Sequence, residues 1–211
     1  MKHIPLRLSC IILSALLLSG CDDGGGGGLS NPDPGENDVN VVVAFGDSIT
    51  QGSECACPAY PARLAGLIGK TVHNTGVSGT AAESNVNRTQ QAIDKYRPGF
   101  MLILYGVNDI LWSQSVSATV AALGQMVSIC EQNNVVPVLA TYPEPIAGHD
   151  LFAPRVLRLN EAIRDLAESA DVSLVDLERE FGADPDLYVS DGLHPNDTGT
   201  QIIAAAFADL F

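Results

Sequence analysis

The segment Val39-Asn40-Val41-Val42-Val43-Ala44-Phe45-Gly46-Asp47-Ser48 decides the fold of this chain. Its apolar part is rich in β-branched side chains, which is typical of a strand buried on both faces of a sheet. A glycine, a carboxylate and a hydroxyl follow directly where the apolar run stops. The segment therefore predicts a buried strand at residues 39–45, with Ser48 just beyond its carboxyl end.

Strands alternate with helices along the rest of the chain. The pattern predicts further strands at 71–74, 100–105, 135–140 and 172–175, and helices at 60–68, 87–96, 116–131, 154–169 and 196–211. Such alternation indicates a parallel sheet of about five strands covered by helices on both faces, which is a three-layer α/β/α sandwich. With 211 residues, the chain is long enough for one such domain and leaves little room for a second.

Polar or glycine residues follow four of the predicted strands. They are Ser48, Gly76, Asn108 and the loop that begins near Tyr142. Ligands of parallel α/β sheets bind beyond the carboxyl ends of the strands. We therefore expect these positions to converge on one active site.

The segment Asp191-Gly192-Leu193-His194-Pro195 supplies a carboxylate and an imidazole just before the last predicted helix. A serine hydroxyl is a poor nucleophile at neutral pH unless a base takes its proton, and an acid orients that base. Ser48, His194 and Asp191 could provide all three groups. The sequence thus predicts a serine hydrolase.

Four segments together resemble the SGNH (GDSL-type) hydrolase superfamily. Residues 46–50 match its first block, 74–79 its second, 106–109 its third and 191–195 its fifth, in the order that the family has. The resemblance implies a flavodoxin-like α/β/α fold and a serine esterase that works through an acyl-enzyme without cofactor or metal.

The same resemblance implies a role for each matching residue. Ser48 is expected to be the nucleophile, His194 the general base and acid, and Asp191 the residue that orients the imidazole. The oxyanion hole is expected to consist of the Ser48 and Gly76 backbone N–H groups and the Asn108 side-chain amide. Ser48 could also simply cap a helix, a role that is compatible with catalysis.

Several further residues are candidates for supporting roles. Trp112, Tyr142 and Ile146 follow strand ends and could line the substrate pocket, although Trp112 could instead be simple packing. Asp47 and Asp109 are expected to hydrogen-bond loop backbone rather than substrate.

Three cysteines and two histidines remain within the predicted domain. Cys55 and Cys57 could form a disulfide, either of them could pair with Cys130, or the thiols could be free. His73 and His149 have no neighbours at metal-ligand spacing, so both are expected to be structural or solvent-exposed. The sequence predicts no metal site.

The amino terminus predicts export and lipid attachment. Residues 1–20 have the basic start and short apolar run of a signal peptide, and the run ends at Cys21 as in the lipobox of bacterial lipoproteins. An ordinary secretory signal is the alternative. Residues 21–38 would form the lipidated cysteine and a flexible glycine-rich tether, and residues 39–211 the hydrolase domain. The domain would face the periplasm or the cell exterior, held at a bacterial membrane by its lipid anchor.

The net negative charge of the chain limits the classes of molecule that it could bind. A formal net charge of -14 argues against binding to nucleic acid. The expected substrate is a small-molecule or lipid ester, such as that of a lysophospholipase, thioesterase or arylesterase, and we expect a monomer. The alternatives are O-acetyl groups on polysaccharide or a non-catalytic binding lipoprotein on the same scaffold.

Overall fold

The computed structural model of the chain describes Leu29 and residues 33–211. Five strands form one parallel sheet in the order β2-β1-β3-β4-β5. The strands are β1 (Asp38–Gly46), β2 (Thr71–Asn74), β3 (Pro98–Leu104), β4 (Val136–Ala140) and β5 (Ser173–Val175). The predicted fold class, a flavodoxin-like α/β/α sandwich, is confirmed.

Eight α-helices connect and cover the strands in the described residues. They are α1 (Ser48–Gln51), α2 (Tyr60–Ile68), α3 (Ala82–Tyr96), α4 (Val107–Leu111), α5 (Val116–Gln132), α6 (Ala153–Ala170), α7 (Leu177–Phe181) and α8 (Asp197–Ala208). Helices α3, α5 and α6 pack side by side on one face, and α2, α7 and α8 pack together on the other.

The sequence pattern did not predict the short helices α1, α4 and α7, and it placed the start of α3 five residues too late. Helix α3 begins at Ala82 because the distant Asp109 carboxylate accepts the Ala82 N–H at 2.8 Å. A first-turn N–H needs such a partner. This one comes from α4, 27 residues away in the chain, which local periodicity does not reveal.

The register of the two central strands positions the site. Every residue of β3 is buried, and so are Val42 to Gly46 of β1. Gly46 at the end of β1 lies opposite Leu104 at the end of β3. The residues that follow these two strands therefore emerge at the same edge of the sheet.

The described part of the amino-terminal segment contacts the domain at the amino ends of the strands, opposite to the end where Ser48 lies. The Asp38 N–H donates to the Arg97 carbonyl at 2.8 Å, and the Asn37 side chain donates to the Asn133 carbonyl at 2.7 Å. The predicted signal peptide and Cys21 lie outside the described residues. Across the residues that are described, no helix combines the length and apolar character needed to cross a bilayer.

Candidate active site

Ser48 begins helix α1 directly after strand β1. The preceding Asp47 caps this helix, because its carboxylate accepts the Ile49 N–H at 3.0 Å. The Ser48 side chain is almost fully buried at 5% relative exposure. The nucleophile candidate is thus held by a buried strand on one side and a capped helical turn on the other.

Ser48, His194 and Asp191 form a continuous hydrogen-bonded chain. The Ser48 Oγ lies 2.9 Å from His194 Nε2, and His194 Nδ1 lies 2.6 Å from an Asp191 carboxylate oxygen. Since an ionised carboxylate only accepts, Nδ1 carries the proton and Nε2 is left to accept from the serine hydroxyl. The sequence separates Ser48 from His194 by 146 residues, and the fold brings them into direct contact.

The turn around Asp191 holds its carboxylate in place. One carboxylate oxygen accepts the backbone N–H groups of Leu193 at 2.9 Å and His194 at 3.0 Å, and the other faces the imidazole. Partial burial opposes ionisation, but the His194 and Leu193 N–H groups and the imidazole together lower the pKa of Asp191. Asp191 is therefore charged at neutral pH and fixes the orientation of the ring.

Asn108 lies at the start of α4, beside the same site. Its side-chain amide donates to the Thr80 carbonyl at 3.0 Å and, over a longer 3.3 Å contact, to the Asp47 carboxylate. The second contact exceeds the usual N–H···O range, so it is the weaker of the two. One of the two amide hydrogens is therefore only loosely held.

Gly76 does not offer the backbone donor that the sequence predicted. Its N–H donates to the Asn74 side chain at 3.0 Å within its own loop. A side chain at Gly76 would approach the Gln51 nitrogen to 2.3 Å, which explains the glycine by close backbone packing. Gly76 thus holds the loop against α1.

Gly79 lies in the same loop, and its N–H has no hydrogen-bond acceptor among the described residues. Its φ of +69° is one that glycine adopts without strain. The next residue, Thr80, contacts the Asn108 amide through its carbonyl. Of the two glycines in this loop, Gly79 is therefore the one whose N–H is free to donate to a ligand. The sequence did not single out Gly79, because its second family block contains both glycines.

Asp47 joins three parts of the site. Besides capping α1, its carboxylate accepts the Tyr142 hydroxyl at 2.7 Å and the Asn108 amide. Complete burial raises the pKa of Asp47 to about 6, although the Tyr142 hydroxyl and the Ile49 N–H act in the opposite direction. The predicted loop-backbone bonds of Asp47 and Asp109 are confirmed.

Tyr142 is not the pocket-lining residue that was predicted. It is fully buried, and its hydroxyl donates to Asp47. The Asn160 side-chain amide accepts from the Tyr142 N–H and donates to the Tyr142 carbonyl. Burial first, and then the neighbouring Asp47 charge, raise the pKa of Tyr142 well above its usual value. Its hydroxyl therefore remains protonated and acts as a donor.

The other two predicted pocket residues differ in exposure. The Trp112 side chain is 57% exposed at the end of α4, and the Trp112 N–H bonds to the Asn108 carbonyl. Ile146 is partly buried against the core, and its N–H donates to the Gly192 carbonyl at 2.8 Å. Trp112 is thus free to meet a ligand, whereas Ile146 helps to hold the loop that carries Asp191.

His149 also contacts that loop, which the sequence did not indicate. Its Nδ1 lies 2.8 Å from the Asp191 backbone carbonyl. A carbonyl oxygen only accepts, so this nitrogen carries a hydrogen. His149 therefore supports the backbone of the residue that orients His194.

The cysteines have separate roles. A disulfide joins Cys55 and Cys57 shortly after α1. Cys130 is a buried free thiol whose Sγ contacts the Met101 sulfur at 3.6 Å. Within Leu29 and residues 33–211, no group of histidine, cysteine or acidic side chains is arranged to hold a metal ion.

The sequence of residues 44–202 matches the GDSL-like Lipase/Acylhydrolase family. No curated protein matches the chain. Among solved structures, it is similar to a member of the lipolytic protein G-D-S-L family from Veillonella parvula, with 18% identity, a TM-score of 0.72, and coverage of 81% of this chain and 97% of that one.

Two further structures share the fold. The lipase/acylhydrolase from Enterococcus faecalis has 20% identity and a TM-score of 0.68, covering 80% of this chain and 93% of that one. An acetylxylan esterase from Geobacillus stearothermophilus has 21% identity and a TM-score of 0.69, covering 83% and 96%. At these identities the likeness establishes a common fold.

Proposed function

Given that this chain belongs to the GDSL-like lipase/acylhydrolase family and is a carboxylic ester hydrolase, we propose that Ser48 is its nucleophile and becomes acylated during turnover. The observation that carries the proposal is the unbroken hydrogen-bonded chain from Asp191 through His194 to the Ser48 hydroxyl. A binding protein needs no such chain, so the arrangement argues against a non-catalytic role.

The first half-reaction acylates the serine. Ser48 Oγ attacks the ester carbonyl carbon while its proton passes to His194 Nε2, and Asp191 stabilises the imidazolium that forms. When the tetrahedral intermediate collapses, the bond to the alcohol oxygen breaks and the leaving alkoxide takes the proton from Nε2. The product alcohol departs and the acyl group stays on Ser48.

The second half-reaction repeats these steps with water. His194 Nε2 takes a proton from water, the resulting hydroxide adds to the acyl carbon, and the Ser48 oxygen leaves with the proton that Nε2 returns. The carboxylic acid is released and the free serine is restored. The proposed reaction steps use only these side chains and water.

Three donors would stabilise the negative oxygen of both tetrahedral intermediates. We assign them to the backbone N–H groups of Ser48 and Gly79 and to the Asn108 amide. Gly79 replaces Gly76 in this set because the Gly76 N–H is already bonded to Asn74. The loosely held hydrogen of Asn108 can turn from Asp47 to the oxyanion, and each such donor contributes roughly 3 kcal/mol.

For the substrate, we propose esters of small acyl groups. The segments between the site loops are short, which leaves little material for an elaborate binding cleft. O-acetyl groups on polysaccharide are the second candidate. The exposed indole of Trp112 favours them, since it offers an apolar platform beside the site, and an acetylxylan esterase shares the fold.

For the location, we propose that the enzyme is exported and held at a bacterial membrane through lipid on Cys21. The basic start, the short apolar run and the cysteine that follows it support this proposal. Several acyl chains on one residue make such attachment stable.

The test of the proposed chemistry is the hydrolysis of p-nitrophenyl esters from acetate to decanoate by the wild type and by Ser48→Ala. We expect the wild type to prefer the short chains and the variant to lose all measurable activity. Acetate release from acetylated xylan distinguishes the second substrate class. Activity that survives in Ser48→Ala would remove Ser48 from the nucleophile role.

A further inference from the structure

The catalytic residues lie at one end of the molecule, and α8 runs from there to the other. His194 comes two residues before Asn196, which caps α8. The helix then extends 12 residues to Ala208, a rise of about 18 Å. Leu210 and Phe211 therefore lie near the end of the molecule opposite the active site.

The amino-terminal segment is attached at that far end. The Leu29 N–H donates to the Leu210 carbonyl at 2.8 Å, and the Leu29 side chain packs against the hydrophobic core. Asn37 and Asp38 make their contacts at the amino ends of the strands, which is the same end of the molecule as Leu210. The chain thus reaches the domain from the side opposite to Ser48.

The distance from the lipid-bearing residue to this attachment is limited by chain length. Cys21 precedes Leu29 by eight residues. Eight residues span at most about 29 Å when fully extended and about 14–17 Å as an average coil. To bring the active site onto the bilayer, the chain would have to run from Leu29 along the outside of the domain past the whole of α8. Passing α8 alone takes about 18 Å, which exceeds the average span of such a coil, so chain entropy opposes this path.

We propose that the catalytic end faces away from the bilayer that holds Cys21, so that the enzyme hydrolyses esters dissolved in the surrounding medium or carried on polymer, and not lipid esters of its own membrane. This inference rests on the proposed ester hydrolysis and on lipid attachment at Cys21.

The chain's single tryptophan allows a direct test of orientation. Trp112 is exposed at the catalytic end, and Val39 is exposed near the attachment end. Lipidated wild-type protein is reconstituted in phosphatidylcholine vesicles containing a dansyl-headgroup lipid, and energy transfer from Trp112 is measured. The matched protein is Val39→Trp combined with Trp112→Phe. We expect at least twofold more transfer from position 39 than from Trp112. Equal transfer, or more from Trp112, would overturn the proposal, as would an unmodified Cys21 in the mass spectrum.

A second measurement follows the chemistry. The vesicles carry a fluorogenic lipid whose cleavable group is an acetyl ester, which matches the small acyl groups proposed for the substrate. A variant with fifteen Gly/Ser residues inserted before Leu29 is compared with the native chain. We expect the native protein to cleave this lipid at least tenfold more slowly than the variant, while both cleave p-nitrophenyl acetate at equal rates. Equal cleavage of the lipid would contradict the proposal. If neither protein cleaves p-nitrophenyl acetate, the proposed function fails, whereas the orientation is still decided by energy transfer.

Discussion

The Tyr142 hydroxyl donates a hydrogen bond of 2.7 Å to the Asp47 carboxylate, and both side chains are completely buried. The two residues are 95 positions apart in the sequence. Because Asp47 also caps α1 and accepts from Asn108, this one contact ties strand β4 to the nucleophile helix and to a proposed oxyanion donor. We therefore expect Tyr142 to affect catalysis through Asp47 and not by contact with substrate.

Tyr142→Phe removes this hydroxyl at almost constant volume. We expect kcat for p-nitrophenyl acetate to fall about tenfold with little change in KM, because Asp47 no longer fixes the position of Asn108 relative to α1. A hydrogen bond to a charged group contributes about 2 kcal/mol, so the free energy of unfolding should fall by a similar amount at pH 8. The matched control is Tyr60→Phe, whose equally buried hydroxyl contacts Thr50 instead. Equal kcat in the two variants would exclude a role for Tyr142 in catalysis.

The buried Asp47 also makes stability depend on pH. Its pKa is about 6 in the folded protein against an ordinary value of 3.8, so the folded state binds this proton more tightly than the unfolded chain does. The contribution of Asp47 to stability is therefore fully present below about pH 4, decreases as pH rises to about 6, and is constant above that. The pKa difference corresponds to about 3 kcal/mol.

Urea unfolding of the wild type and Asp47→Asn at several pH values measures this effect. We expect the wild-type free energy of unfolding, relative to that of the variant, to fall by about 3 kcal/mol between pH 4 and pH 7. Comparison with Asp191→Asn should show the opposite slope, and only below about pH 4, since the pKa of Asp191 is lowered from its ordinary value of 3.8 in the fold. A difference between wild type and Asp47→Asn that does not vary with pH would contradict the raised pKa.

Asn108→Ala removes the proposed side-chain donor to the oxyanion. We expect turnover of p-nitrophenyl esters to fall about a hundredfold or more while the fold is retained, as circular dichroism would show. Asn133→Ala changes a similar residue at the end of α5, far from the site, and should leave turnover unchanged. Unchanged ester hydrolysis by Asn108→Ala would remove Asn108 from the oxyanion hole.

The structure of a phosphonate-inhibited enzyme would resolve which glycine contributes a donor. Its phosphorus is bonded to Ser48 Oγ, and the non-bridging oxygen on that phosphorus occupies the place of the oxyanion. We expect it within hydrogen-bond distance of the Gly79 nitrogen, with the Gly76 N–H still bonded to Asn74. A contact to the Gly76 nitrogen would restore the assignment that the sequence suggested.

Trp112 offers the exposed aromatic surface at the end of α4. We expect Trp112→Ala to raise KM for p-nitrophenyl octanoate about fivefold and to leave kcat for the acetate unchanged. Partial burial of the indole by a longer substrate is worth about 1 kcal/mol, which corresponds to this factor. Leu67→Ala, an exposed apolar residue on α2, serves as the control. An unchanged KM would mean that Trp112 lies outside the substrate path.

The sequence predicted what depends on local pattern. The apolar run before Gly46 identified the central strand, and the three-residue spacing from Asp191 to His194 identified a carboxylate and imidazole that do meet. The convergence of Ser48 and Asn108 followed from the rule that parallel strands end at one edge. These inferences required no knowledge of any long-range side-chain contact.

The remainder depended on such contacts. Tyr142 follows a strand end, and an aromatic residue there suits a pocket as well as a buried partner of Asp47. Gly76 and Gly79 lie in one loop, and only the folding back of the Asn74 side chain makes the first unavailable. Periodicity describes which face of an element is buried, and it carries no information about such pairings.

His149→Ala tests the last of these contacts, the hydrogen bond to the Asp191 backbone carbonyl. We expect kcat to fall several-fold with KM unchanged, because the Asp191 turn loses a support and its carboxylate orients His194 less well. His149→Asn should recover most of the activity, since its amide can donate to the same carbonyl. His73→Ala is the control, as that ring stacks on Tyr96, the last residue of α3. Unchanged kcat in His149→Ala would show that this hydrogen bond does not affect catalysis.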